Sequence, residues 1–194
     1  MKTNRCGKAE ILSDEWYRKI KDSLSSPRDR LIAAILFYTG ERIGAVLQLN
    51  VLDVYADPRR SVPAAQVTFP SGIRKGQRDT RQVPIHPALR EALQSYKPPT
   101  EGYLFPSPHD GEEHLSVSAF DKLLRSALRR AGLEDQGISS HSFRRTFITR
   151  LHDNHVSLKV IQSITKHRSF SCLAEYIEVK QETIQNAIAL LPVA

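Results

Sequence analysis

Apolar residues recur along most of this chain at three- and four-residue steps, the period of a helix with one face turned inward. Ser13-Asp14-Glu15 opens the first such run, with Trp16, Ile20 and Leu24 four apart and a serine placed to cap the first turn. Ser25-Ser26-Pro27 ends it, and Pro27, lacking an amide proton, suits the first position of the following helix. That helix, to about Thr39, contains IAAILFY, which predicts the most buried element of the domain. Gly40 is its expected C-terminal residue, with a short helix over 41–49 behind it. Pro87 opens another helix, with Leu89, Leu93 and Tyr96 inward. Ser116 or Ser118 caps a long one carrying Val117, Phe120, Leu124, Ala127 and Leu128, ended by Gly132. Ser139 or Ser140 caps the next, whose stripe is Phe143, Phe147 and Leu151, and Ile184, Ala187, Ile188 and Leu191 mark a last helix over 182–191.

Between Val51 and Ile85 the period shortens. Val54-Tyr55, 65–69 and 82–85 are β-prone, and Asp57-Pro58, Pro70-Ser71-Gly72 and Lys75-Gly76 separate them as turns. The expected fold class is therefore α+β, mainly α-helical with a small three-stranded antiparallel sheet. Residues 1–12 carry no such pattern and read as a flexible N-terminal arm before a single domain over 13–194.

Composition sharpens this in one respect. The net charge is +7 and the isoelectric point about 9.6, which favours a polyanionic partner. The excess gathers over 74–81 and 141–152. The longest apolar runs are too short for a bilayer, the N-terminus lacks an apolar leader core, and Cys6 and Cys172 form no metal or disulfide pattern. A cytoplasmic protein without a membrane role or a bound metal is expected.

His141 and Arg144 are three apart and so stack on one helix face, and further on His167 precedes Tyr176 by nine residues. Attack on a phosphodiester builds negative charge on its non-bridging oxygens, which guanidinium groups hold bidentately without losing their own charge. Arg144 is one candidate for this, and Arg42, at a helix start after Gly40, is the other. Lys75, on the basic hairpin, is the candidate proton donor to a leaving 5′-oxygen if its pKa is lowered. Tyr176 is the candidate nucleophile, since a phenol of pKa about 10 attacks near neutral pH only beside positive charge and a proton acceptor. Singly, each has a plainer role: a half-buried core tyrosine, helix-bridging histidines, a terminal arginine, a solvated basic turn.

Taken in order, the pieces resemble the catalytic domain of the tyrosine recombinase (phage integrase) family. They read TGER at 39–42, RKG at 74–76, HSFR at 141–144, KHRS at 166–169 and EYIEV at 175–179, and the resemblance covers residues 13 to 191. It implies that Arg42 and Arg144 clamp the scissile phosphate and that Lys75 is the general acid on the leaving 5′-hydroxyl. His141 would assist proton transfer, His167 would hydrogen-bond the phosphate, and Tyr176 would form a 3′-phosphotyrosyl link. The implied activity is site-specific recombination or integration of double-stranded DNA, without metal or cofactor. Arg74, Arg78, Arg81, Arg145, Lys166 and Arg168 would be DNA contacts. Two other activities stand beside it on the same fold: a DNA-binding regulator with little or no turnover, and relaxation of the type IB topoisomerase kind. The resemblance also implies that helix 182–191 docks into a neighbouring subunit. The chain would then be a monomer alone and a ring of four on DNA, at the nucleoid, with accessory DNA-bending proteins as further partners.

Three positions depart from the family pattern. Ala45 stands where an acid commonly orients the first arginine, leaving Glu41 as the nearest substitute. Lys166 replaces a common glycine, and Arg145 a common histidine. The length leaves no room for the helical clamp domain that usually precedes the catalytic domain. The expectation is a catalytic domain cut from a longer chain, or a short recombinase made of this domain alone.

Overall fold

The computed structural model describes residues 9–74, 79–108 and 113–176, together with 184–185 and 188–189. Helix α1 (Asp14–Ser23) begins where the Ser13 hydroxyl accepts the Trp16 amide, and it buries Ile20. Helix α2 (Pro27–Thr39) is capped by Ser26 and surrounded on nearly every side, with Ile32, Ile35 and Leu36 fully buried. It ends at Gly40, whose φ of 61° favours a glycine. A Cβ there would also lie 2.4 Å from the Phe147 ring, so the close crossing of the next element demands glycine a second time.

Helix α3 (Ile43–Leu47) is shorter than the sequence suggests. Glu41 and Arg42 stay outside it, Arg42 in extended backbone as its N-cap and its amide donating to the Glu41 carboxylate. Next come two hairpins: β1 (Tyr55–Asp57) with β2 (Val62–Pro63), and β3 (Gln66–Phe69) with β4 (Arg81–Pro84), both antiparallel. The expected three-stranded sheet is thus divided, among the described residues, into two sheets of two strands. Tyr55 pairs with Pro63 rather than with the 66–69 strand, and a proline-bearing pair of residues is a poor strand signal in sequence.

Helices α4 (Pro87–Ser95), α5 (Val117–Arg130), α6 (Ser140–Asp153), α7 (Leu158–Thr165) and α8 (Phe170–Ala174) complete the chain's described order. Helix α5 starts at Ser116, and the turn opening α6 is closed by the Ser142 hydroxyl on the Ser139 amide. The main core gathers α1 to α5, the sheets and Phe143 of α6. A smaller cluster of Ile148, Ile161 and Leu173 sits between α6, α7 and α8, with Phe147, Leu151 and Tyr176 against it. Residues 9–12, expected as part of a loose arm, lie along α6. Leu12 is buried, its amide donates to Thr146 Oγ1, and Arg150 and Arg145 donate to the carbonyls of Leu12 and Ala9. The arm over 1–8 and most of the 182–191 helix fall outside the described residues.

Candidate active site

Four pieces of chain meet at the site: the Gly40-Glu41-Arg42 turn, the β3–β4 hairpin, α6, and the α7–α8 segment. Arg144, on α6, is buried at 2% exposure. Its Nη1 donates to the Gly40 carbonyl at 2.8 Å, and its Nη2 donates to His167 Nε2 at 2.9 Å. Its Nε has no protein partner among the described residues. Burial lowers the Arg144 pKa, opposed chiefly by the Glu41 charge.

His167 follows Lys166, which ends α7 in the left-handed conformation with φ 55°. Its Nδ1 lies 2.6 Å from Thr165 Oγ1, and that hydroxyl donates onward to the Ile161 carbonyl. Burial, then the charges of Arg144, Arg42 and Arg81, push its pKa down to about 4. Tyr176 is half-buried, its ring centroid 5.5 Å from that of His167. Its carbonyl accepts from Thr149 of α6, which ties the chain after α8 back to the helix bearing Arg144.

Arg42 is exposed at the start of α3. It lines a cavity of about 490 Å³ with Glu41, Ala45, Arg74, His141 and Arg144. The two expected phosphate-holding guanidiniums and His141 thus open onto one space. His141 lies at its exposed rim. Lys75 and Arg78 lie outside the described residues.

The remaining basic residues divide. Lys166 and Arg168 are exposed, as DNA contacts need to be. Arg74, Arg81 and Arg145 are instead turned inward. Arg145 is tied to the Ala9 carbonyl at 2.7 Å. Arg81 is fully buried: Nε donates to the Ile164 carbonyl at 2.6 Å, Nη1 to Glu41 Oε2 at 2.7 Å, and Nη2 to the Thr39 carbonyl. Arg74 donates through Nε to the same Glu41 oxygen at 3.1 Å and through Nη1 to the Asp79 carbonyl. The expected basic hairpin is thus partly an internal charge cluster. Burial pushes the Glu41 carboxyl up, but Arg81, the Arg42 amide and Arg144 outweigh it and bring its pKa to about 2. Burial lowers Arg81 to about 10 against the pull of Glu41, so it stays charged near neutrality. The signal in sequence was faint: an acid one residue past the glycine that ends an apolar helix.

A buried guanidinium bonded to an imidazole that packs against a phenol, with a second guanidinium and a second imidazole on the adjoining cavity, is equipment for phosphoryl transfer to a side-chain oxygen. Among the described residues no His, Cys, Asp or Glu group is arranged to hold a metal. The chain belongs to the phage integrase family, whose model matches residues 12–183. It is 28% identical over 183 residues to a tyrosine recombinase of Pseudothermotoga lettingae, covering 92% of this chain and 59% of that relative. This chain therefore spans about three-fifths of that relative's length. Its fold is similar to XerH site-specific recombinase bound to difH substrate, with TM-score 0.70, 20% identity, and coverage of 97% of this chain and 56% of that one. It is also similar to the catalytic domain of bacteriophage HP1 integrase, with TM-score 0.66, 20% identity, and coverage of 96% and 97%.

Proposed function

We propose that this chain cleaves and reseals double-stranded DNA by transesterification, as a site-specific recombinase with Tyr176 as its nucleophile. The observation that carries the reading is the convergence at buried Arg144, which holds His167 against the Tyr176 ring and faces the cavity shared with Arg42 and His141. The Tyr176 oxygen attacks phosphorus, the 5′-oxygen departs with a proton, and the product is a 3′-phosphotyrosyl ester. Arg144 and Arg42 meet the charge that grows on the non-bridging oxygens. His141 serves proton transfer from the cavity rim. Lys75 is assigned the leaving-group proton on its place in the sequence motif. The ester conserves the bond energy, so a 5′-hydroxyl from another strand can reverse the attack without a nucleotide being consumed.

Double-stranded DNA is the substrate on this reading, in keeping with the net charge of +7 and with the binding of difH substrate by the XerH neighbour. Lys166 and Arg168, exposed beside the site, would touch its phosphates. Ile184 and Ile188, four positions apart in the sequence, are both exposed, which suits exchange of this segment between protomers in a ring of four on DNA. The test is a nicked duplex from which the short cleaved strand diffuses away, carrying a site selected by the protein from random duplexes. A covalent protein–DNA band is expected, and it should vanish in Tyr176→Phe. Tight binding with no covalent band would make the chain a regulator instead, and relaxation of any supercoiled plasmid would make it a topoisomerase.

A further inference from the structure

The centre of the site is occupied by a carboxylate that the proposed chemistry does not use. Glu41 is 1% exposed, and both of its oxygens are engaged. Oε1 accepts the Arg42 amide at 2.8 Å and faces Arg144 Nη1 at 3.8 Å, while Oε2 accepts from Arg81 and Arg74. It thereby touches the turn bearing Arg42, the loop after β3 through Arg74, the start of β4 through Arg81, and α6. Arg81 extends the connection to the Ile164 carbonyl at the end of α7, two residues from Lys166 and three from His167.

We infer that Glu41 is the positioning residue of the phosphate clamp, its carboxylate holding Arg144 and the Arg42 turn in register before DNA arrives. Three guanidiniums crowded together repel one another, and a buried cation without a counter-charge is expensive. A single carboxylate among them fixes their spacing while leaving an excess of positive charge for the phosphate. That is electrostatic preorganisation: donors stand where charge will develop, with no rearrangement during the reaction. The position also accounts for Ala45, which lines the same cavity as Glu41, Arg42 and Arg144. The chain carries the organising acid on the residue before Arg42 and a small apolar residue three after it.

This inference rests on the recombinase reading, and the nicked duplex separates the two. Glu41→Gln keeps the shape and removes the charge. Its single-turnover cleavage rate should fall about 100-fold, the scale of losing one preorganised donor, while the DNA dissociation constant moves less than about threefold. The fall should be equal when the leaving 5′-oxygen is replaced by sulfur, which needs no proton, because the defect lies at the non-bridging oxygens. Adding Ala45→Glu to Glu41→Gln returns a carboxylate to the same cavity and should recover about tenfold in rate. If Glu41→Gln does not fold, Glu41→Asp carries the test: charge kept, one methylene short, cleavage reduced about tenfold at unchanged DNA affinity. A wild-type rate in the folded variant overturns the inference, and so does a loss that tracks DNA affinity, one confined to the oxygen substrate, or one that Ala45→Glu leaves unrelieved. A wild-type chain that forms no covalent band removes the recombinase reading itself, and the inference with it.

Discussion

Arg144 can only donate, and its Nη2 lies 2.9 Å from His167 Nε2, so the imidazole must present a lone pair there. The ring proton then sits on Nδ1 and points to Thr165 Oγ1, whose own proton is committed to the Ile161 carbonyl. The fold thus selects one neutral tautomer, and burial among Arg144, Arg42 and Arg81 keeps it neutral down to about pH 4. An unfolded histidine takes up its proton at about 6.5. Between these values the unfolded chain binds the extra proton, so stability falls as pH drops from about 6.5 to about 4, by about 1–3 kcal/mol once solvent screening of the partly buried ring is allowed for. Glu41 adds a second loss in a lower window, from the ordinary carboxylate range down to about 2, as its charge is titrated away. Urea unfolding at pH 7 and pH 4.5 should show the first loss, and His167→Gln should flatten it. An unchanged slope in that variant would place the titration elsewhere. Next to it, Lys166 holds φ 55° as an L-residue, which explains in backbone terms why a glycine is common at that place in the family.

The crossing of α2 and α6 sets the clamp, because the carbonyl that receives Arg144 belongs to the glycine on which Phe147 lies. Gly40→Ala combines a left-handed φ with a ring 2.4 Å from the new Cβ, so a destabilisation of about 2–3 kcal/mol is expected in chemical denaturation. The surviving folded fraction should cleave more slowly, since Arg144 loses its anchor. Helix boundaries of this kind were plain in the sequence: Ser13, Ser26-Pro27, Gly40 and Ser116 each punctuate a run with local chemistry. Strand pairing was not, because alternation says which face is buried and nothing about which neighbour is bonded, and Val62-Pro63 scarcely reads as a strand. Motif order singled out Arg42, His141, Arg144, His167 and Tyr176 as candidates, and the fold brings them into one neighbourhood. The inward turn of Arg74, Arg81 and Arg145 was not legible, since a basic residue facing Glu41 or the Ala9 carbonyl is the same letter as one facing solvent. No spacing rule announces that residues 9–12 will lie on α6 and draw Arg145, Thr146 and Arg150 toward them.

Across the whole molecule, stability is unevenly distributed. Arg42, Arg74, Arg81 and Glu41 are built on elements of the main core, around α2 and the sheets. Tyr176 rests on the small cluster, where Ile148, Ile161 and Leu173 are its fully buried members among the described residues. Local opening follows the number of buried apolar contacts, so amides of α7 and α8 should exchange with solvent at least about 2 kcal/mol more readily than those of α2. Native-state hydrogen exchange resolves this, and equal protection in both regions would show that the two clusters open as one. The satellite position of the phenol has a consequence for timing. On the recombinase reading, the phenol could withdraw and return while the anion cradle keeps its shape, so that passing a severed end to a new strand would require only a small detachment at the periphery, with the interior undisturbed.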